Sequence, residues 1–188
     1  MLWCKTEDVH NRSRPTQPFP DKPHLFYTTR LWQETKRILI PKSRQLTMTW
    51  LFCALYLWKA VHWPSRLEFF VSKKEEDADA NILRSLFIYQ HLPKFYRNYC
   101  PGVNKAGDPY TYCNLKFTNR SRMWGIPSGG DQMRQYTASD IFSDEGAFQE
   151  GLKEQLASAI PTLGLDGGIA IVSSAAPSFF QDLCFDVE

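Results

Sequence analysis

Residues Thr49 to His62 contain no proline and are rich in Leu, Ala and Trp, which predicts a helix that is apolar nearly all round. A helix without a polar face has to be covered on every side, so it belongs at the centre of a layered fold. The most hydrophobic run in it, Trp50 to Trp58, is far shorter than the roughly 20 residues a membrane span requires. Burial against a sheet is therefore the expectation.

The segments around this helix fit that expectation. Arg37 to Ile40 is a short apolar run closed by Pro41, and Leu67 to Ser72 (LEFFVS) is a second, both reading as buried strands. Lys74 to Gln90 has helical spacing, with Ala78, Ile82, Leu86 and Tyr89 on one stripe. Tyr112 to Phe117 and Arg122 to Ile126 flank Asn119-Arg120 and read as a hairpin. Asp140 to Ser143 predicts a short strand, Gly146 to Ile160 a helix, and Gly168 to Ser173 a last strand. Strand and helix alternate, which is the signature of an α/β fold with a mostly parallel sheet. Residues 1–34, with Pro15, Pro18, Pro20 and Pro23 among polar residues, read as an extended arm, and 93–110 as irregular chain.

With 188 residues there is room for one domain with a substantial core, since domains run to about 100–200 residues. Thirteen Phe, eight Tyr and six Trp supply the apolar surface, and a net charge of +2 excludes a polybasic protein that holds nucleic acid by bulk charge. Any DNA contact has to be local, with Lys73, Lys74, Arg120 and Arg122 as candidates beside the plainer reading of a solvated charged face. The five cysteines are widely spaced, with no CxxC pair, and read as free thiols in a reducing compartment. Met1 to Pro23 has charges and prolines where a secretory signal has an apolar core, so a soluble intracellular protein is expected and the sequon Asn119-Arg120-Ser121 is taken as coincidence.

Two places carry chemistry. Arg37–Ile40 runs through Pro41-Lys42-Ser43-Arg44-Gln45-Leu46-Thr47-Met48-Thr49 directly into the central helix, the strand-loop-helix context of a nucleotide phosphate loop. In such a loop the backbone amides and the helix dipole point at the phosphates. Against the pattern Gly-x-x-x-x-Gly-Lys-Ser/Thr, Lys42 and Thr47 stand where glycines belong, Met48 where the lysine belongs, and Thr49 matches as the hydroxyl for Mg²⁺. Lys42 or Arg44 can supply the displaced cation; the alternative is a basic strand-to-helix turn.

The second place is Asp140 to Glu145, which has the form of a Walker B strand ending in adjacent carboxylates. One acid holds the metal and the other orients or deprotonates the attacking water, a contribution of roughly 10²–10⁴ in rate. Alternatively the pair simply favours the dipole of the following helix. Arg134 upstream can stabilise charge on a phosphoryl group or sit solvated at the surface, and Ser173-Ser174-Ala175-Ala176-Pro177 offers hydroxyls after the next strand or is a plain strand-to-turn junction.

Taken in order, Lys42-Ser43-Arg44-Gln45 through Thr49-Trp50, Phe70 to Ala78, Ser121 to Pro127, Arg134 to Ser139, Phe142 to Phe148 and Ser173 to Pro177 resemble the ATPase domain of tailed-phage large terminase subunits, over roughly 35–178. The resemblance implies a three-layer P-loop NTPase core over 35–188 that hydrolyses ATP with Mg²⁺ and translocates double-stranded DNA into a procapsid. It implies a homo-oligomeric ring with portal protein and small terminase subunit as partners, in the cytoplasm of the host cell, and no membrane.

By the same carry-over the phosphate loop is Lys42, Ser43, Arg44, Gln45, Leu46, Thr47, Met48 and Thr49, with Thr49 and Asp144 on the metal. Glu145 is then the catalytic carboxylate, Arg134 a finger reaching the neighbouring subunit's ATP, and Ser173 and Ser174 the coupling motif. The family's nuclease half is expected to be missing, since only eleven residues, with Asp182, Asp186 and Glu188 as the last acids, follow Pro177. Two competing readings are a truncated, inert paralogue that binds DNA or a partner, and another helicase-like DNA-translocating ATPase.

Overall fold

The computed structural model describes residues 3–8, 11, 13–99, 110–129, 133, 135–164 and 166–174. In chain order these form β1 (Lys5–Glu7), β2 (Thr16–Pro18), α1 (Pro23–Glu34), β3 (Arg37–Pro41), α2 (Met48–His62), β4 (Leu67–Ser72), α3 (Glu75–His91) and α4 (Lys94–Tyr99). They continue with β5 (Tyr110–Thr111), β6 (Asn114–Lys116), β7 (Arg122–Pro127), β8 (Asp140–Asp144), α5 (Leu152–Ala159) and β9 (Gly168–Ser173).

The main sheet has the order β3-β9-β8-β4-β7-β6-β5, parallel from β3 to β7 and antiparallel through β6 and β5. Residues 69–71 of β4 and 169–172 of β9 are apolar without interruption because both faces of the sheet are covered. Phe70, Phe142, Ala170 and Val172 face the side of α1, α2 and α3, whereas Phe69, Val71, Ile141, Ile169 and Ile171 face the side of α5. The result is the three-layer α/β architecture with a mostly parallel sheet that the alternation of elements predicts.

Helix α2 lies in the larger of the two cores. Phe52 stacks on Phe142 at a centroid distance of 5.1 Å, and Tyr56 sets its edge against Trp32 and Phe70 while its hydroxyl donates to the Ile141 carbonyl. The far end of the helix is closed by a side chain: the Asn119 amide donates to the carbonyls of Ala60, Val61 and Trp63. Asn119 thus serves as a cap for carbonyls that the last turn leaves open.

Four sequence expectations are corrected. Residues 1–34 are not an extended arm: β1 and β2 pair antiparallel, and α1 buries Leu25, Thr28 and Trp32. Pro23 occupies the first turn of α1, where a missing N–H costs nothing. Within 93–110, expected to be irregular, Lys94–Tyr99 form α4, and 100–109 lie outside the described residues. The helix expected over 146–160 is broken into a 3-10 turn at Gly146–Phe148 and α5, with Gly151 between them at φ 74°. The first arm of the predicted hairpin also shortens to β6, which still pairs with β7.

At the amino ends of β4 and β8 two buried acids meet two half-buried cations. Asp140, fully buried, accepts from Lys59 at 2.8 Å, from the Arg66 guanidinium and from the Gly168 amide at 2.8 Å. Arg66 also pairs with the buried Glu68 at 2.9 Å. Burial, reinforced by Asp140, pushes the Glu68 carboxyl well above the usual range despite Arg66. A raised folded value means stability that is complete below the unfolded carboxyl value of about 4.3 and is lost as pH climbs through the folded one. Glu68→Gln removes that titration, so thermal midpoints compared between pH 5 and pH 8 should change less than in the parent.

Candidate active site

The carboxyl ends of the parallel strands form one edge, because the register sets Pro41 beside Ser173 and Asp144 beside Val172. Ligands in open α/β sheets bind outside this edge. Chain leaving β3 runs along it into α2, and chain leaving β8 and β9 meets it there.

The loop between β3 and α2 is shaped without glycine. Gln45 and Thr47 take φ of 63° and 62°, and Thr47 stands directly before α2 with no side-chain cap bond. A β-branched residue in the left-handed region is held there at a cost of about 1–3 kcal/mol. Thr47 is also where the phosphate-loop pattern has its second glycine, so the chain adopts the turn with the wrong residue for it. Thr47→Gly is expected to stabilise the protein by about 1 kcal/mol, read as a raised thermal midpoint; an unchanged or lowered midpoint would show that the turn carries no strain.

Met48 is 3% exposed and joins the apolar core, so no amine stands at the start of α2. The ammonium comes from the front of the loop. Lys42, its side chain 8% exposed, donates to Glu145 Oε1 at 2.9 Å, across 103 residues of sequence. The Thr49 hydroxyl donates to Asp144 at 3.0 and 3.2 Å, joining α2 to β8.

Glu145 stands at φ 53°, and the turn it makes requires Gly146, where an added Cβ would come 2.5 Å from Ile171 Cγ2. Its Oε2 accepts from both the backbone amide and the hydroxyl of Ser174, each at 2.7 Å. Burial alone would raise this carboxyl, but the Ser174 donors and the Lys42 ammonium outweigh it and hold Glu145 below the usual carboxylate range. Asp144 goes the other way: burial raises it, against the Thr49 hydroxyl, with Glu145 adding to the rise and Lys42 and Arg84 opposing it. Two adjacent acids therefore have environments that push their affinities for a proton apart, the arrangement by which neighbouring carboxylates take different roles.

A cavity of about 560 Å³ opens over the loop, lined by Lys42, Gln45, Leu46, Thr47, Met48 and Thr49, by Trp50 and Arg84, and by β1, β2 and their flanks. Ser43 and Arg44 are exposed and do not line it, which leaves Lys42 as the displaced cation within the cavity. Ser173 Oγ, at the end of β9, accepts from the Ala147 amide at 3.2 Å in the turn after Glu145, while Ser174, just beyond β9, holds Glu145 itself. Arg134 and Ala175-Ala176-Pro177 lie outside the described residues. Lys73 and Lys74 are exposed just past β4; Arg120 is exposed in the turn before β7, and Arg122 is engaged over the Trp124 ring at 3.7 Å.

Sequence reasoning missed several residues of this site. Asn81 on α3 donates to Asp144 Oδ2 at 3.4 Å and to Ser72 at 3.2 Å, and in turn accepts from Arg84. Gln149 donates to the Asp144 carbonyl at 2.8 Å and to the Val71 carbonyl. None of these sits in a local motif; the one available signal was that Asn81 and Arg84, three apart, share a helix face.

A divalent ion can be tested against this donor set. Among the described residues no three or more His, Cys, Asp or Glu come together as a metal cage. Mg²⁺ does not require one, because it takes one or two protein oxygens and completes its shell with phosphate and water. The Thr49 hydroxyl and the Asp144 carboxylate fit that demand.

No protein-family model and no curated protein sequence matches the chain. Solved structures do. A mutant form of the ATPase domain of the Thermus phage P74-26 large terminase superposes with a TM-score of 0.64 at 16% identity, covering 87% of this chain and 69% of that one. The fold is that of a large terminase ATPase domain. The bacteriophage HK97 large terminase matches with a TM-score of 0.70 at 13% identity, over 98% of this chain and 38% of its own length. A thermophilic bacteriophage's large terminase solved in complex with ADP gives 0.59 at 12% identity, over 82% and 39%. The chain thus spans about two-fifths of the length of those two longer proteins. None of its described helices is long and apolar enough to cross a membrane.

Proposed function

We propose that this chain binds Mg²⁺-ATP in the cavity over the β3–α2 loop and hydrolyses it, as the motor domain of a terminase that drives double-stranded DNA into a procapsid. The observation that carries the reading is the pairing of Thr49 with Asp144 beside Glu145, because it sets a metal-binding hydroxyl and carboxylate next to a second, lower-affinity acid.

Mg²⁺, where bound, neutralises charge on the phosphate oxygens. Thr49 and Asp144 would hold it. The amides of the loop and the first turn of α2 receive the phosphates, and Lys42 supplies the positive charge that Met48 does not. Glu145, ionised at neutral pH, accepts a proton from the attacking water and directs it in line with the bond that breaks. Ser174 and Lys42 fix the direction of that carboxylate. Arg134 acts from one subunit on the nucleotide of the next, which makes a homo-oligomeric ring the active form. Ser173 and Ser174 carry the change at the site into β9, and double-stranded DNA, portal protein and small terminase subunit are the partners of that motion, in the host cell cytoplasm.

A fluorescent ATP analogue titrated into the purified chain tests the reading. Saturable binding that requires Mg²⁺ is expected; none at millimolar nucleotide would overturn it. Burial of Met48 in the core favours a second reading, a paralogue that keeps the fold and hydrolyses nothing. Nucleotide binding without turnover, even with the ring partners present, is the result that selects it.

A further inference from the structure

The helix start where a phosphate loop carries its ammonium holds the buried Met48, and Lys42 is tied to Glu145. Among the described residues that line the cavity, one other cation remains, Arg84 in the middle of α3. It is half-buried and donates to Asn81 Oδ1. Asn81 is buried and its amide donates to Asp144 and Ser72, so Arg84 is aimed by a side chain that also touches the metal-side acid. A second cavity, of about 520 Å³, shares Glu7, Trp50 and Arg84 with the first, so the guanidinium stands where the two join. A guanidinium has five donors in a planar fork suited to phosphate oxygens, and the bond to Asn81 uses one of them.

We propose that Arg84 is a phosphate-binding residue of the same subunit, contacting the phosphate chain of a nucleoside triphosphate from α3 and adding a second positive charge to that of Lys42. The assignment rests on the reading of the cavity as a nucleotide site. It explains how the site can keep enough positive charge while Lys42 is paired with Glu145: a second cation comes from a neighbouring helix, placed by Asn81.

Competition of Mg²⁺-ATP against a fluorescent analogue is measured for the parent, Arg84→Gln and Arg84→Lys, with thermal melts taken without nucleotide. A hydrogen bond to a charged group predicts at least about ten-fold weaker binding for Arg84→Gln at an unchanged melting point. Arg84→Lys should recover part of the loss, which a purely structural partner of Asn81 would not do. Equal affinity of parent and Arg84→Gln overturns the assignment and leaves the nucleotide site standing; a parent that binds no nucleotide overturns both. Should Arg84→Gln fail to fold, the parent decides: phenylglyoxal modification of Arg84, followed by mass spectrometry, is slowed by Mg²⁺-ATP if the guanidinium meets phosphate, and an unchanged rate rejects it.

Discussion

Glu145→Gln should lower ATP turnover by about 10²–10⁴ while leaving nucleotide affinity within a few-fold of the parent. Glutamine has nearly the same shape and keeps one acceptor oxygen, which can serve the two Ser174 donors and hold the turn at φ 53° while the Lys42 ammonium is released. It cannot take a proton from water. The expected signature is a loss confined to kcat, measured by phosphate release with the ring assembled. Glu145 is the group to change first because its neighbours hold it ionised, whereas Asp144 is buried and committed to Thr49. Turnover at the parent's rate would remove Glu145 from the chemistry.

Asp140→Ala is expected to cost about 3–5 kcal/mol of stability, because it strips a buried carboxylate from two cations. Lys59 loses its carboxylate and keeps only its place over the Trp32 and Tyr56 rings, Arg66 keeps only Glu68, and the Gly168 amide is left without its acceptor. In a domain of this size that corresponds to a fall in thermal midpoint of roughly 6–20 °C. The contrast with Glu68→Gln is diagnostic. Both act on one cluster, yet one removes the hub of its pairing and the other an acid that burial already disfavours. A shift of under a degree or two for Asp140→Ala would mean that Lys59 and Arg66 reach water freely.

The sheet was legible in the sequence because strands buried on both faces leave continuous apolar runs such as Leu67–Ser72 and Gly168–Ser173, and these runs carry no competing signal. The strand end made the acids legible as well, since Asp144 closes β8 and Glu145 follows it directly. The N-terminal residues were misread for a physical reason. Prolines argue against regular structure inside an element but favour the first turn of a helix, and Pro23 together with the stripe of Leu25, Thr28 and Trp32 marks α1. The helix over 146–160 was overextended because the position of Gly151 at positive φ follows from tertiary packing around Gln149, which is buried against two strand-end carbonyls. Asn81 and Arg84 had no legible role at all. The partners of Asn81 lie on β4 and β8 and that of Arg84 is Asn81 itself, and only the packing of α3 beside α2 brings them to the loop.

Ser174 is the first residue beyond β9, and its amide and hydroxyl both end on one oxygen of Glu145. The acid is thereby moored to a strand that separates β3 from β8, and its aim depends on where that strand end sits. In the motor proposed above, a pull on the chain leaving β9 would swing the carboxylate off its water, and these two short hydrogen bonds would act as a clutch that makes fuel consumption sensitive to load.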